Sequence, residues 1–230
     1  LKSKAVFGIF PARTNENDEI EVYNPINKDL LNKFICLRQQ TVKSTNTPNL
    51  SICDFISSNE NINDYVGCFA VSAGFGTDEL AKIYEDKNDD YNSIMVKAVA
   101  DRLAEATAEY LHERVRKEFW GYAKDENLNN NQLISEKYKG IRPAPGYPAC
   151  PDHLEKNIIW DLLDVERNIG MKLTESLAMW PASSVSGYYF SHPEAKYFGL
   201  GKIDKDQLED YAKRRKISIK QAEKWLNPIL

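Results

Sequence analysis

Tyr65-Val-Gly-Cys-Phe-Ala-Val71, followed after a glycine-containing turn at Ser72–Gly76 by the long run Tyr91–Leu111, decides the fold class. The first run is nearly continuous in apolar residues and has the length of a strand. The second repeats Tyr91, Ile94, Met95, Ala98, Val99, Leu103, Ala106, Tyr110 and Leu111 at helical spacing. That spacing predicts one long helix, starting near Asp78 or Asp89 and reaching about Phe119, with these residues as its apolar face.

Working outward, Ala5-Val-Phe-Gly-Ile-Phe10 reads as a buried strand ending at Pro11, and Glu19-Ile-Glu-Val-Tyr23 alternates as a strand with one wet face. Asp54-Phe-Ile56 continues the strand pattern. The Asn/Thr-rich segment after Pro11 and the stretch Ser44–Asn49 read as loops. Downstream, Asn127–Asn131 is a polar loop from which Asn130 or Asn131 leads a short helix toward Glu136. Asp152-x-x-Glu155 has the form of a capping box opening a helix that buries Leu154, Ile158, Ile159, Leu162 and Val165, with Gly170 at its end. Leu173–Trp180, Gly187–Phe190 and Tyr197–Leu200 read as strands. Helices at Asp206–Lys213 and Ile219–Leu226 close the chain, the second capped by Ser218 with Gln221 three residues on. Strands and helices follow without a βαβ rhythm. The expectation is an α+β fold, a single domain with a twisted, mainly antiparallel sheet flanked by helices.

Composition narrows the function classes. With 230 residues, 42% hydrophobic and 28% charged, this is an ordinary globular chain able to bury a core. A net charge of −4 and a pI near 5.5 argue against nucleic acid and anionic membrane as partners. No apolar run is long enough to cross a bilayer, and Leu1-Lys-Ser-Lys4 is not a signal peptide, so a cytoplasmic location is expected. The four cysteines form no Cys-x-x-Cys pair and are expected as reduced, mostly buried thiols. Cys150-Pro-Asp-His153 spans half a zinc site, but no second half exists, so zinc is not expected in this chain. Residues 201–230 carry a net charge of +3 and helix-turn-helix-like spacing. Lacking clustered aromatics or a basic arm, they read as a structural hairpin rather than a DNA reader.

Arg142-Pro-Ala-Pro-Gly-Tyr-Pro-Ala-Cys-Pro-Asp-His153 has no packing rationale. Its prolines fix φ and delete donors, and Gly146 admits dihedrals other residues avoid. A stiff, extended loop with free carbonyls is expected. Arg142 can grip a carboxylate bidentately or sit in a surface ion pair, and Tyr147 offers a flat face. Asp101, Glu105 and His112 share one side of the long helix. They read either as a solvated face with Lys97 as partner or as carboxylates offsetting a nearby cation. Neither His153 nor His192 pairs with a Ser or Cys nucleophile, so a hydrolase triad is unsupported.

The same proline loop, with Leu173-Thr-Glu-Ser-Leu-Ala-Met-Trp-Pro181, Ser184-Val-Ser-Gly187, Tyr189-Phe-Ser-His-Pro193, Lys196-Tyr-Phe198, Asp89-Asp-Tyr-Asn92 and Asp101-Arg-Leu-Ala-Glu-Ala106, closely resembles the S-adenosylmethionine-binding activation domain of cobalamin-dependent methionine synthase. The likeness covers nearly the whole chain. It implies that residues 1–230 form such a domain lacking its N-terminal portion, which carries one acidic ligand contact. It further implies a methyltransferase module, inactive alone, within the enzyme that moves a methyl group from methyltetrahydrofolate to homocysteine. There the module reactivates cob(II)alamin with a methyl from S-adenosylmethionine and an electron from a flavodoxin-type donor. Its partner would be the cobalamin-binding module, which presents the cobalamin, while zinc would belong only to the homocysteine module. By resemblance Arg142 binds the methionyl carboxylate. Ala144, Gly146 and Tyr147 contact the nucleoside or face the cobalamin, and Tyr197 and Phe198 contact the ligand partly through the backbone. The commoner pair there is Tyr-Tyr, so Phe198 lacks one hydroxyl. Glu105 and Glu136 match acidic residues near the ligand, and Asp101 lies toward the cobalamin module. A module that senses S-adenosylmethionine without transferring its methyl is the alternative.

Overall fold

The computed structural model describes residues 1–43 and 46–230; Ser44 and Thr45, in the loop expected over Ser44–Asn49, lie outside the described residues. The strands are β1 (Lys2–Thr14), β2 (Glu19–Tyr23), β3 (Leu30–Ile35), β4 (Asp64–Phe75), β5 (Lys172–Leu173), β6 (Met179–Trp180) and β7 (Ser184–Tyr189). The helices are α1 (Thr77–Glu85), α2 (Asp90–Arg114), α3 (Asn130–Ile134), α4 (Glu155–Leu163), α5 (Val165–Ile169), α6 (Lys205–Arg215) and α7 (Ile219–Leu226). β3, β2, β1, β4 and β7 line up in that order as a five-stranded antiparallel sheet, and β5 and β6 pair separately. The fold is α+β, as the order of elements predicts.

The chain divides into two compact units. The first comprises Leu1–Gly8, Cys68–Asn127 and Ile159–Gly187. Here β4 is buried from Cys68 to Gly74 and does not turn at Ser72 as expected; it runs on to Phe75, and Gly76, at φ 84°, starts α1. The long run Tyr91–Leu111 lies in one helix, α2, which starts at its expected cap Asp89, is separate from α1, and continues into a π-turn at Val115–Phe119. Except at Leu111, which is buried as expected, the apolar face of α2 is overturned. Tyr91, Ile94, Met95, Val99, Leu103 and Tyr110 are exposed, whereas Ser93, Ala100, Ala104 and Ala108 are buried. Small residues let the helix backbone approach its neighbours closely, so the alanine stripe faces inward. His112 is buried while Asp101 and Glu105, on the same side by spacing, stay exposed. The predicted strand Leu173–Trp180 is instead the short pair β5 and β6, joined by a turn in which Leu177 adopts φ 60°.

The second unit comprises Ile9–Gly67, Leu128–Ile158 and Tyr188–Leu230. β1 does not end at Pro11, but its pairing with β2 begins at Ala12, immediately beyond the residue that lacks a donor. β2 holds Ile20 and Val22 buried and turns Glu21 toward Lys33 of β3, 2.8 Å away. Asp54-Phe-Ile56 is not a strand. Ile52–Phe55 forms a 3₁₀ turn, stabilised by the Asp54 carboxylate accepting the Ser51 N–H at 2.8 Å. Leu37, Leu200, Ile203, Leu208, Tyr211 and Leu226 make a core cluster beneath α6 and α7. α7 keeps its capping box, with Ser218 and Gln221 exchanging hydrogen bonds.

Candidate functional site

The proline loop lies in the second unit and is held at both ends. Before it, Ile141 and Phe190 exchange backbone hydrogen bonds at 3.0 and 3.1 Å. The Arg142 N–H donates to the Tyr197 hydroxyl oxygen at 2.9 Å, and that hydroxyl lies 3.0 Å from the hydroxyl of Tyr138. After the loop, Asp152 accepts from the Leu154 N–H at 2.7 Å, from Arg215 at 2.7 Å and from the Tyr211 hydroxyl.

Asp152 and Glu155 therefore do not form the expected capping box. Glu155 turns inward, accepting from Arg215 and, at 2.9 Å, from the Ile35 N–H. Two buried carboxylates share one guanidinium. Burial raises the Glu155 carboxyl above its ordinary range, against the opposing pull of Arg215, and neighbouring Asp152 adds to the rise. Burial, then Asp152, likewise raises the Tyr211 hydroxyl.

Between these anchors the loop is not extended, and several of the carbonyls expected to be free are engaged. The Tyr147 N–H donates to Ala144 O (3.1 Å), Cys150 N–H to Tyr147 O (2.9 Å) and Gly146 N–H to Cys150 O (2.7 Å). Pro143 and Pro148 carbonyls accept from Tyr188 and Leu200. The prolines remove donors, but the remaining amides find the loop's own carbonyls, and Gly146, at φ 94°, permits the reversal. His153 packs against Gly146, and burial, with Lys156 nearby, lowers its pKa and keeps the imidazole neutral near pH 7. A groove of about 420 Å³ beside the loop is lined by Tyr147, Pro148, His153, Trp225 and Ile229.

The structure thus brings Arg142, Ala144, Gly146, Tyr147 and Tyr197 into one cluster. Arg142 is half-buried, Ala144 is buried, and the Tyr147 ring is 58% exposed at the tip. The strand expected at Tyr197–Leu200 is a loop: Tyr197 serves Arg142, and Leu200 hydrogen-bonds Pro148. Phe198 points elsewhere, 6.3 Å from the Phe55 ring and packed on the α6/α7 core cluster. Glu136 is exposed just beyond α3, at φ 54°. Glu105 belongs to the first unit, exposed on α2. In that unit Asp101 accepts from the Ser183 hydroxyl at 2.6 Å, and Lys97 pairs with Glu85 rather than with the acids of its own helix. Tyr138 carries no sequence signal; only its place four residues before Arg142 hints at a role.

Among the described residues, Asp18, Cys53 and Asp54 are grouped closely enough to ligate a cation. The Arg38 guanidinium already supplies that charge, bonding Asp18, Asp54 at 2.7 Å and the Cys53 sulfur at 3.7 Å. All four cysteines are buried free thiols. Among the described residues, no helix is long and apolar enough to cross a membrane.

Comparison with known proteins gives two findings. Residues 1–216 match the family described as vitamin B12 dependent methionine synthase, activation domain. A crystal structure of the MetH reactivation domain bound to AdoHcy is 54% identical, with a TM-score of 0.94, over 99% of this chain and 70% of that chain.

Proposed function

The chain belongs to the family of vitamin B12 dependent methionine synthase activation domains, and from that premise we propose that it is the S-adenosylmethionine-binding reactivation module of such an enzyme. The observation that carries this reading is the loop anchored at both ends, with one half-buried guanidinium at its start and one exposed aromatic ring at its tip. That donor set fits an amino-acid nucleoside. Arg142 would hold the carboxylate as a planar fork, while the backbone at Ala144 and Gly146 would line the nucleoside. Tyr147 would cover the nucleoside or the cobalamin face. Tyr197 and Phe198 would contribute mainly through their backbone, since one hydroxyl is engaged and the other ring is packed away. Glu136 and Glu105 are the proposed acidic groups.

S-adenosylmethionine, when bound, supplies a methyl group already activated on a sulfonium. The residues here need only hold and orient it and exclude water, so no general acid or base is required. The acceptor cobalamin would be presented by the cobalamin-binding module, with the electron from a flavodoxin-type donor. AdoHcy, bound in the similar crystal structure, is the same nucleoside without the methyl. Titrating AdoHcy into this chain tests the reading: saturable one-to-one binding is expected, and no heat or displacement at any concentration would overturn it.

A further inference from the structure

We infer that Tyr138 is a positioning residue for Arg142, acting through Tyr197; the inference rests on the reading of Arg142 as the carboxylate grip. The Arg142 amide lies between Ile141, whose backbone is committed to Phe190, and Pro143, which has no N–H. Its own N–H is held by a side chain, the Tyr197 oxygen at 2.9 Å. Tyr197 is 38% exposed, and its hydroxyl is held on a second side by Tyr138 at 3.0 Å. Tyr138 is itself 9% exposed. The more buried phenol therefore sets the more exposed one, which in turn sets the backbone from which the guanidinium projects. Gly140, at φ 76°, turns the chain between Tyr138 and Arg142 so that residues four apart meet through one intermediary.

The test compares two ligands on the intact chain. AdoHcy carries the amino-acid end; 5′-methylthioadenosine is the same nucleoside thioether without it. Tyr138→Phe is expected to weaken AdoHcy binding about three- to tenfold, the range of one net hydrogen bond. Methylthioadenosine binding should be unchanged, and Tyr138→Phe combined with Tyr197→Phe should be no weaker than Tyr197→Phe alone. A general structural role would weaken both ligands equally. Equal losses, no loss, or additive losses in the double variant overturn the inference while leaving the functional reading in place. If the unaltered chain binds neither ligand, the functional reading falls, and the inference with it.

Discussion

His153 lies so close to Gly146 that a β-carbon on the glycine would stand 2.1 Å from the imidazole Cε1. Gly146 also sits at φ 94°, where a side chain is strained whatever the space. Gly146→Ala is therefore expected to cost about 1–3 kcal/mol in loop strain and to weaken AdoHcy binding. Adding His153→Ala should relieve the clash but not the dihedral, recovering only part of the loss. Denaturant unfolding and ligand titration on the three chains check this. Full recovery in the double variant would show that backbone strain contributes nothing.

Arg142→Ala should weaken AdoHcy binding by about 2–4 kcal/mol, since it leaves a carboxylate without its charged partner. Arg142→Lys keeps the charge but loses the fork and should recover only a fraction. Calorimetry measures both. An unchanged dissociation constant for the alanine variant would remove Arg142 from the site.

Tyr147 exposes 58% of its surface and is needed by no core. Tyr147→Ala should leave unfolding stability within about 0.5 kcal/mol, as for most surface substitutions. In the full enzyme it should impair reductive methylation of cobalamin more than AdoHcy binding. Equal losses would assign the ring to the nucleoside.

Glu155 predicts a pH dependence with a definite sign. Its folded carboxyl is raised by burial, so the folded state holds the proton more tightly than the unfolded chain. The stability this contributes is fully present below the ordinary carboxylate range and is lost as pH rises through the folded value. Glu155→Gln, which cannot ionise, should flatten that decline. Unfolding midpoints from mildly acidic to mildly alkaline buffer read it out; an unaltered slope would show that Glu155 is ionised throughout.

α2 gives a test of its orientation. Val99→Ser and Leu103→Ser, on the exposed side, should each change stability by less than about 0.5 kcal/mol. Ala104→Leu, on the buried stripe, should cost about 1–3 kcal/mol through overpacking. The reverse ranking would mean the apolar face is the packed one.

Where a signal is local, the sequence reads to the residue. Glu19–Tyr23 and Ile219–Leu226 are a strand and a helix with the predicted limits, because alternation and a capping box lie within the segments themselves. α2 shows the boundary of such reasoning. Period 3.6 identifies the helix, but alanine counts as apolar too, and close approach selected the small stripe over the large one. β3 escapes because Asn32 and Lys33 interrupt its apolar residues. Tyr197–Leu200 resembles a strand, yet its conformation is set by Arg142 and Pro148, about fifty residues earlier. The loop itself was legible as a loop from its prolines. Its internal turns were not, since they depend on which amides the prolines leave.

The groove beside the loop has a practical consequence. Trp120, Trp160 and Trp180 belong to the first unit, while Trp225 lines the groove with Tyr147 and His153. With the other three indoles replaced by phenylalanine, the emission of this chain would come from one chromophore placed where the tip of the loop rests. Quenching or a spectral shift on adding a nucleoside would then report its arrival beside the loop directly, with no attached dye.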